Sequence, residues 1–188
     1  MRTVLPQEAV AALRAGYVAL VPTETVVGLV AAESGLSRIH EIKGRDANKP
    51  IALLCASAEV AFGLASNVPP IARELAELYW PGPLTLVLDL PSGETIGVRV
   101  PAGEAVQDLL EAYGAPLYAT SANLSGEPAT AATDDVDPRV LKAVDIIVRG
   151  EQGTGEASAV VDLSGGNVRL VRAASELSAQ RLAQLAHG

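Results

Sequence analysis

Four short segments hold most of the side chains in this sequence that could do chemistry. In Pro22-Thr23-Glu24-Thr25, two hydroxyls follow a buried apolar run that Pro22 brings to a stop. Open α/β sheets bind ligands beyond such strand ends, and a helix N-cap at Thr23 fits the same residues. Lys43-Gly44-Arg45-Asp46-Ala47-Asn48-Lys49 sets three cations close together in an otherwise acidic chain. Guanidinium and ammonium groups suit phosphate oxygens; a solvated basic loop is the plainer alternative. Strand alternation from Thr95 puts Thr95, Gly97 and Arg99 on one face. Arg99 then stands among apolar residues and needs an anion, either a ligand or an acid such as Asp89. In Thr120-Ser121-Ala122-Asn123, hydroxyls and a carboxamide at a strand end can orient a small polar ligand or form an Asx turn towards Gly126.

Several chemistries lack their residues. With two histidines, His40 and His187, and one cysteine, Cys55, a zinc site of the usual His/Cys type lacks ligands, and no resident metal site is expected. A Gly-x-Ser-x-Gly elbow and a Gly-Lys-Ser/Thr phosphate loop are both missing. Gly153-Thr154-Gly155-Glu156-Ala157-Ser158 has a serine where a dinucleotide fingerprint needs its third glycine, so it reads as a glycine-rich loop. A net charge of -8 opposes a nucleic-acid coat but leaves room for a small basic pocket. No apolar run reaches the ~18 residues of a membrane span, and the N-terminus lacks a basic-then-apolar leader. Cytoplasmic location is the expectation, with Cys55 a buried thiol.

These segments need elements to position them. Helices are expected from Pro6 to Gly16, Ser37 to Lys43, Ala58 to Leu64, Ile71 to Tyr79, Ala105 to Tyr113 and Leu177 to Ala186. Strands are expected at Tyr17–Val21, Ile51–Cys55, Leu84–Leu90, Ile96–Val100, Leu117–Thr120, Asp145–Val148, Ala159–Leu163 and Val168–Val171, with the third and fourth forming a hairpin across Pro91-Ser92-Gly93. Helices alternate with strands early and hairpins follow, which favours an α/β fold with a mixed sheet. Residues 1–188 read as one domain.

Six strings occur in family order: VPTETVVGL (21–29), KGRDANKP (43–50), YWPGPLTLVL (79–88), VRVP (98–101), TSANLSGEP (120–128) and ASAVVD (157–162). In these the chain resembles the YrdC-type threonylcarbamoyl-AMP synthases, in their short form. The resemblance implies a twisted mixed sheet flanked by helices around a large concave cavity. It implies nucleotidyl transfer from ATP, with Mg2+, to the carboxylated amine of L-threonine; bicarbonate supplies the carboxylate. The product serves N6-threonylcarbamoyladenosine formation at tRNA position 37, through a downstream transferase complex and with possible tRNA contact. By resemblance Lys43 and Arg45 are catalytic. Thr23, Arg99, Ser121 and Ser158 take threonine. Arg45, Lys49, Thr95, Asn123 and Arg172 take the nucleotide. Val27 stands where the family usually has tyrosine, and Leu54 where many members have histidine. Removing Lys43 or Arg45 should stop turnover and spare the fold, since a cation in a solvated loop contributes under ~0.5 kcal/mol. An RNA-binding module, a carbamoyl-adenylate former and an inactive paralogue are the rival readings.

Overall fold

The computed structural model describes residues 2–44 and 50–186. Among them ten strands form one sheet: β1 (Arg2–Val4), β2 (Ala19–Val21), β3 (Gly28–Ala31), β4 (Ala52–Leu54), β5 (Leu84–Asp89), β6 (Thr95–Arg99), β7 (Leu117–Ser121), β8 (Ile146–Val148), β9 (Ala159–Asp162) and β10 (Arg169–Arg172). Their order is β1-β8-β2-β3-β7-β4-β6-β5-β9-β10. The sheet is mixed, as expected. β8 runs parallel to β1 and β2, β4 to β6 and β5 to β9; the other pairs are antiparallel. β5 and β6 make the expected hairpin, closed by the Leu90 N–H to the Glu94 carbonyl at 2.8 Å over a left-handed Gly93.

Among the described residues seven α-helices flank the sheet: α1 (Pro6–Arg14), α2 (Leu36–Lys43), α3 (Ala58–Gly63), α4 (Pro70–Tyr79), α5 (Glu104–Tyr113), α6 (Pro138–Ala143) and α7 (Ala179–Ala186). Local chemistry sets their ends. Proline opens α1, α4 and α6, where the missing N–H costs nothing. Left-handed glycines close α2 at Gly44 and α5 at Gly114.

Side-chain parity shows which face each helix covers. Ala19, Val21, Val30 and Leu117 point to one face and bury against Ala9 and Leu13 of α1 and Val106 and Leu109 of α5. On the other face, Val18, Leu20, Leu29 and Ala31 meet α2 and α6 through Ile39 and Val140. That second face continues across the sheet, where Leu84, Leu86, Leu88, Val98 and Val161 meet α3, α4 and α7 through Ala61, Leu75 and Leu182. One face therefore carries helices along its whole width. Among the described residues the first carries them over only about half, and the cavity lies over the remainder.

Three elements go beyond the sequence expectations: β1, β3 and α6. The β3 strand overturns the N-cap reading of Thr23, since residues 22–27 connect two antiparallel strands. The last helix begins at Ala179, after a turn closed by Ala174 and Leu177.

Candidate active site

A cavity of about 310 Å³ opens on the helix-free half of the sheet, at the small end of the ~300–1,000 Å³ common for small-ligand sites. Alternate residues of neighbouring strands form its floor: Gly97 of β6, Ala52 and Leu54 of β4, Val87 of β5, Ala119 of β7 and Val160 of β9. Gly97 leaves this floor room at a tight point. A Cβ there would lie 3.3 Å from both the Ala52 Cβ and the Thr85 Cγ2. Pro50, next in the chain to the Arg45–Lys49 stretch, also lines the cavity.

Arg99 lines this cavity and is 7% exposed. It faces the cavity together with Thr95 and Gly97, as strand alternation predicts. Its Nη2 donates to Glu24 Oε1 at 2.5 Å, its Nη1 to Thr25 Oγ1 at 3.0 Å and its Nε to the Gly82 carbonyl at 3.0 Å. Glu24 Oε2 accepts from the Gly103 N–H at 3.1 Å, at the start of α5. The acid that Arg99 needs is thus Glu24. Asp89 instead accepts from the Gly165 N–H at 2.8 Å. Burial pushes the Glu24 carboxyl up, but the charge of Arg99, the backbone hydrogen bond and the Arg99 hydrogen bond together hold it below the usual carboxylate range. The hydroxyls beyond Arg99 have a fixed direction. Thr23 donates to the Val26 carbonyl at 2.7 Å, which uses its one proton, so in the 2.9 Å contact between the two hydroxyls Thr25 donates to Thr23.

Backbone pairing holds this turn in place. Thr154 N–H donates to the Glu24 carbonyl at 2.9 Å and Gly155 N–H to the Thr25 carbonyl at 2.7 Å. Gly153 sits so close that any Cβ would strike the Thr23 carbonyl, and would reach the Thr25 carbonyl at 2.5 Å. The glycine-rich stretch is a loop, as its sequence suggests.

The second guanidinium on the cavity is that of Arg172. Arg172 donates through Nε to the Ser158 carbonyl at 2.7 Å and through Nη2 to Ser158 Oγ at 3.2 Å. Ser158 Oγ lies 2.9 Å from Thr85 Oγ1, and both side chains are buried. Arg172 is exposed as a residue, although these hydrogen bonds are partly buried. Desolvation first, then repulsion from Arg99, lowers its pKa from the usual arginine range; it remains a cation at neutral pH. Among the described residues Arg99 is ion-paired and Arg172 is not.

Of the residues singled out from sequence, Thr23, Thr95, Arg99, Ser121, Ser158 and Arg172 all line the cavity. Arg45 and Lys49 lie outside the described residues. Lys43 and Asn123 stand beside the cavity without lining it. Lys43 is 4% exposed, which corrects its reading as part of a solvated loop. Its ammonium donates to the Ser121 carbonyl at 2.5 Å, the Asn123 carbonyl at 2.8 Å and Asn123 Oδ1 at 3.1 Å. Ser121 also donates to Asn123 Oδ1. Lys43 therefore clamps the segment after β7. Leu54 lines the floor, whereas Val27 is buried on the opposite face. Sequence reasoning named the Thr25 hydroxyl beside that of Thr23, and both line the cavity, but it missed Glu24 and Thr85. Glu24 was legible only as an unpaired acid beside two threonines, because its partner lies 75 positions away.

The Sua5/YciO/YrdC family model, described as telomere recombination, matches residues 11–174. A threonylcarbamoyl-AMP synthase of Pyrococcus abyssi is 38% identical over 81% of this chain and 48% of its own length. One of Stenotrophomonas maltophilia is 36% identical over 89% of this chain and 98% of its own. The chain thus spans about half of the archaeal relative and nearly all of the bacterial one. The solved structure of P. abyssi Sua5 complexed with L-threonine superposes with a TM-score of 0.78 and 36% identity, over 84% of this chain and 50% of that one. By sequence and by fold, this chain belongs to the Sua5/YciO/YrdC family.

Proposed function

We propose that this chain is an L-threonylcarbamoyladenylate synthase, a nucleotidyltransferase that turns L-threonine, bicarbonate and ATP into threonylcarbamoyl-AMP and pyrophosphate. The product would supply N6-threonylcarbamoyladenosine at tRNA position 37. One observation carries the reading: Arg99 and Arg172, far apart in sequence, line a single cavity together with the hydroxyls of Thr23, Thr25, Thr85, Ser121 and Ser158. The relatives of the same name support it.

The chemistry asks little of side-chain nucleophiles. The threonine amine adds to carbon dioxide and loses a proton, giving an N-carboxylate. One carboxylate oxygen then bonds to the α-phosphorus of ATP, and the bond to the β-phosphate bridging oxygen breaks, releasing pyrophosphate. The protein has to bring two anions together and fix their alignment. The two guanidiniums on the cavity provide that electrostatic support. Arg99 and Thr23 take the amino acid end. Arg172 and Thr95 take the nucleotide, with Arg45 and Lys49 assigned beside it. Lys43 acts by holding Ser121 and Asn123 in place.

The described lining includes no carboxylate, and no group of three or more His, Cys, Asp or Glu side chains among the described residues could hold a metal ion. A resident Mg2+ site does not fit these residues. Magnesium would instead arrive on the triphosphate, bound by phosphate oxygens and water.

The test is mass spectrometry of the products formed from ATP, bicarbonate and L-threonine. A threonylcarbamoyl-AMP mass appearing with stoichiometric pyrophosphate is expected. Pyrophosphate release with carbamoyl phosphate in place of threonine and bicarbonate, or no release with either, would overturn the proposal.

A further inference from the structure

We propose that Glu24 and Thr25 are positioning residues for Arg99, and that Glu24 also sets how strongly the cavity attracts anions. This deepens the assignment above and rests on it. Arg99 and Arg172 carry like charge on one cavity, closely enough for Arg99 to depress the pKa of Arg172. A buried guanidinium without a counterion is costly. Glu24 removes that cost from behind. One carboxylate oxygen holds Arg99 at 2.5 Å and the other is anchored on the Gly103 N–H, where the positive end of α5 favours an anion. Glu24 does not line the substrate cavity. It lines a separate polar hollow on the far side of the Thr23–Thr25 turn, with Glu104, Asp108 and Arg149.

Thr25 supplies direction. It is 2% exposed, accepts from Arg99 Nη1 and donates its own hydrogen bond to Thr23. The Gly82 carbonyl takes Nε. The plane of the guanidinium is therefore set from three sides, and its remaining N–H donors are left for a ligand. With Arg99 neutralised, the net positive charge that the described lining offers an anion is that of Arg172. A nucleotide then binds firmly enough to react, and the anionic products are not trapped.

Two effects should separate. Glu24→Gln keeps a side chain of the same shape and raises the local charge by one. AMP should then bind about threefold tighter or more, with a steeper salt dependence, while kcat for threonylcarbamoyl-AMP falls. Glu24→Asp, which keeps the charge, should restore wild-type AMP affinity. Thr25→Val removes direction without changing charge. It should lower kcat at unchanged AMP affinity, and Thr25→Ser should recover the loss. AMP affinity is read by calorimetry and kcat by pyrophosphate release, with the wild type alongside. Weaker or unchanged AMP binding by a folded Glu24→Gln protein would show Glu24 to be only a structural support and overturn the proposal. Should that variant not fold, Thr25→Val decides: wild-type kcat there overturns it. A wild-type protein that neither binds AMP nor releases pyrophosphate would instead refute the functional assignment itself.

Discussion

At the scale of single residues, the site is governed by how one buried cation is satisfied. Arg99 and Glu24 lie 75 positions apart and meet at 2.5 Å. Because the folded Glu24 pKa is depressed, its contribution to stability is fully present above the ordinary carboxylate pKa. It is lost as pH falls through the lowered folded value. The stability difference between wild type and Glu24→Gln, measured by urea unfolding, should therefore shrink between pH ~7 and pH ~3. A difference that stays constant over that interval would show that the carboxylate is not held this way. Cys55 behaves as its apolar sequence neighbours suggest. It is fully buried, and burial pushes its thiol up to about 12.

At the scale of elements, loops do the positioning and strands supply the frame. The segment after β7 is held by Lys43 from the end of α2. Replacing Lys43 by methionine keeps much of the volume but strands buried acceptors, at about 1–3 kcal/mol. Lys43→Met should thus lower both the unfolding midpoint and turnover. Lost activity at full stability would point to a direct role for the ammonium in the reaction. Residues 23–25 form the second such loop, braced by Gly153. A methyl at Gly153 meets two backbone carbonyls that have no soft way to yield. Gly153→Ala should cost roughly 1–3 kcal/mol by overpacking and lower turnover by more than the loss of folded protein explains, as judged by pyrophosphate release per mole of folded enzyme. Equal losses would mean that the turn adapts.

At the scale of the whole molecule, function follows from an asymmetry in how the sheet is covered. Helices bury one face throughout and the other over about half, which leaves a floor of alternate strand residues open to ligand. The core beneath that floor is separate from the site chemistry. Leu75 of α4 is fully buried there, so Leu75→Ala should cost about 2–5 kcal/mol in urea unfolding while the folded fraction keeps near-normal KM. A large KM change would show that the core and the cavity move together. Much of this was legible in order along the chain. Alternation placed Thr95, Gly97 and Arg99 on one face because a strand leaves side chains no other choice, and proline and glycine marked helix ends because their backbone limits are intrinsic. The strand β3 hid inside Gly28-Leu29-Val30-Ala31, since a short apolar run buried on both faces has no period to read. Helix α6 announced itself only through Asp137-Pro138, an N-cap and first-turn proline. The sequence by itself determined the element types, the mixed sheet and the family strings, all of which depend on near neighbours. Only the tertiary structure decided that Glu24 rather than Asp89 answers Arg99 and that Lys43 clamps a loop from within. Those pairings join residues dozens of positions apart, and their partners are chosen by sheet order and burial, which no local pattern encodes.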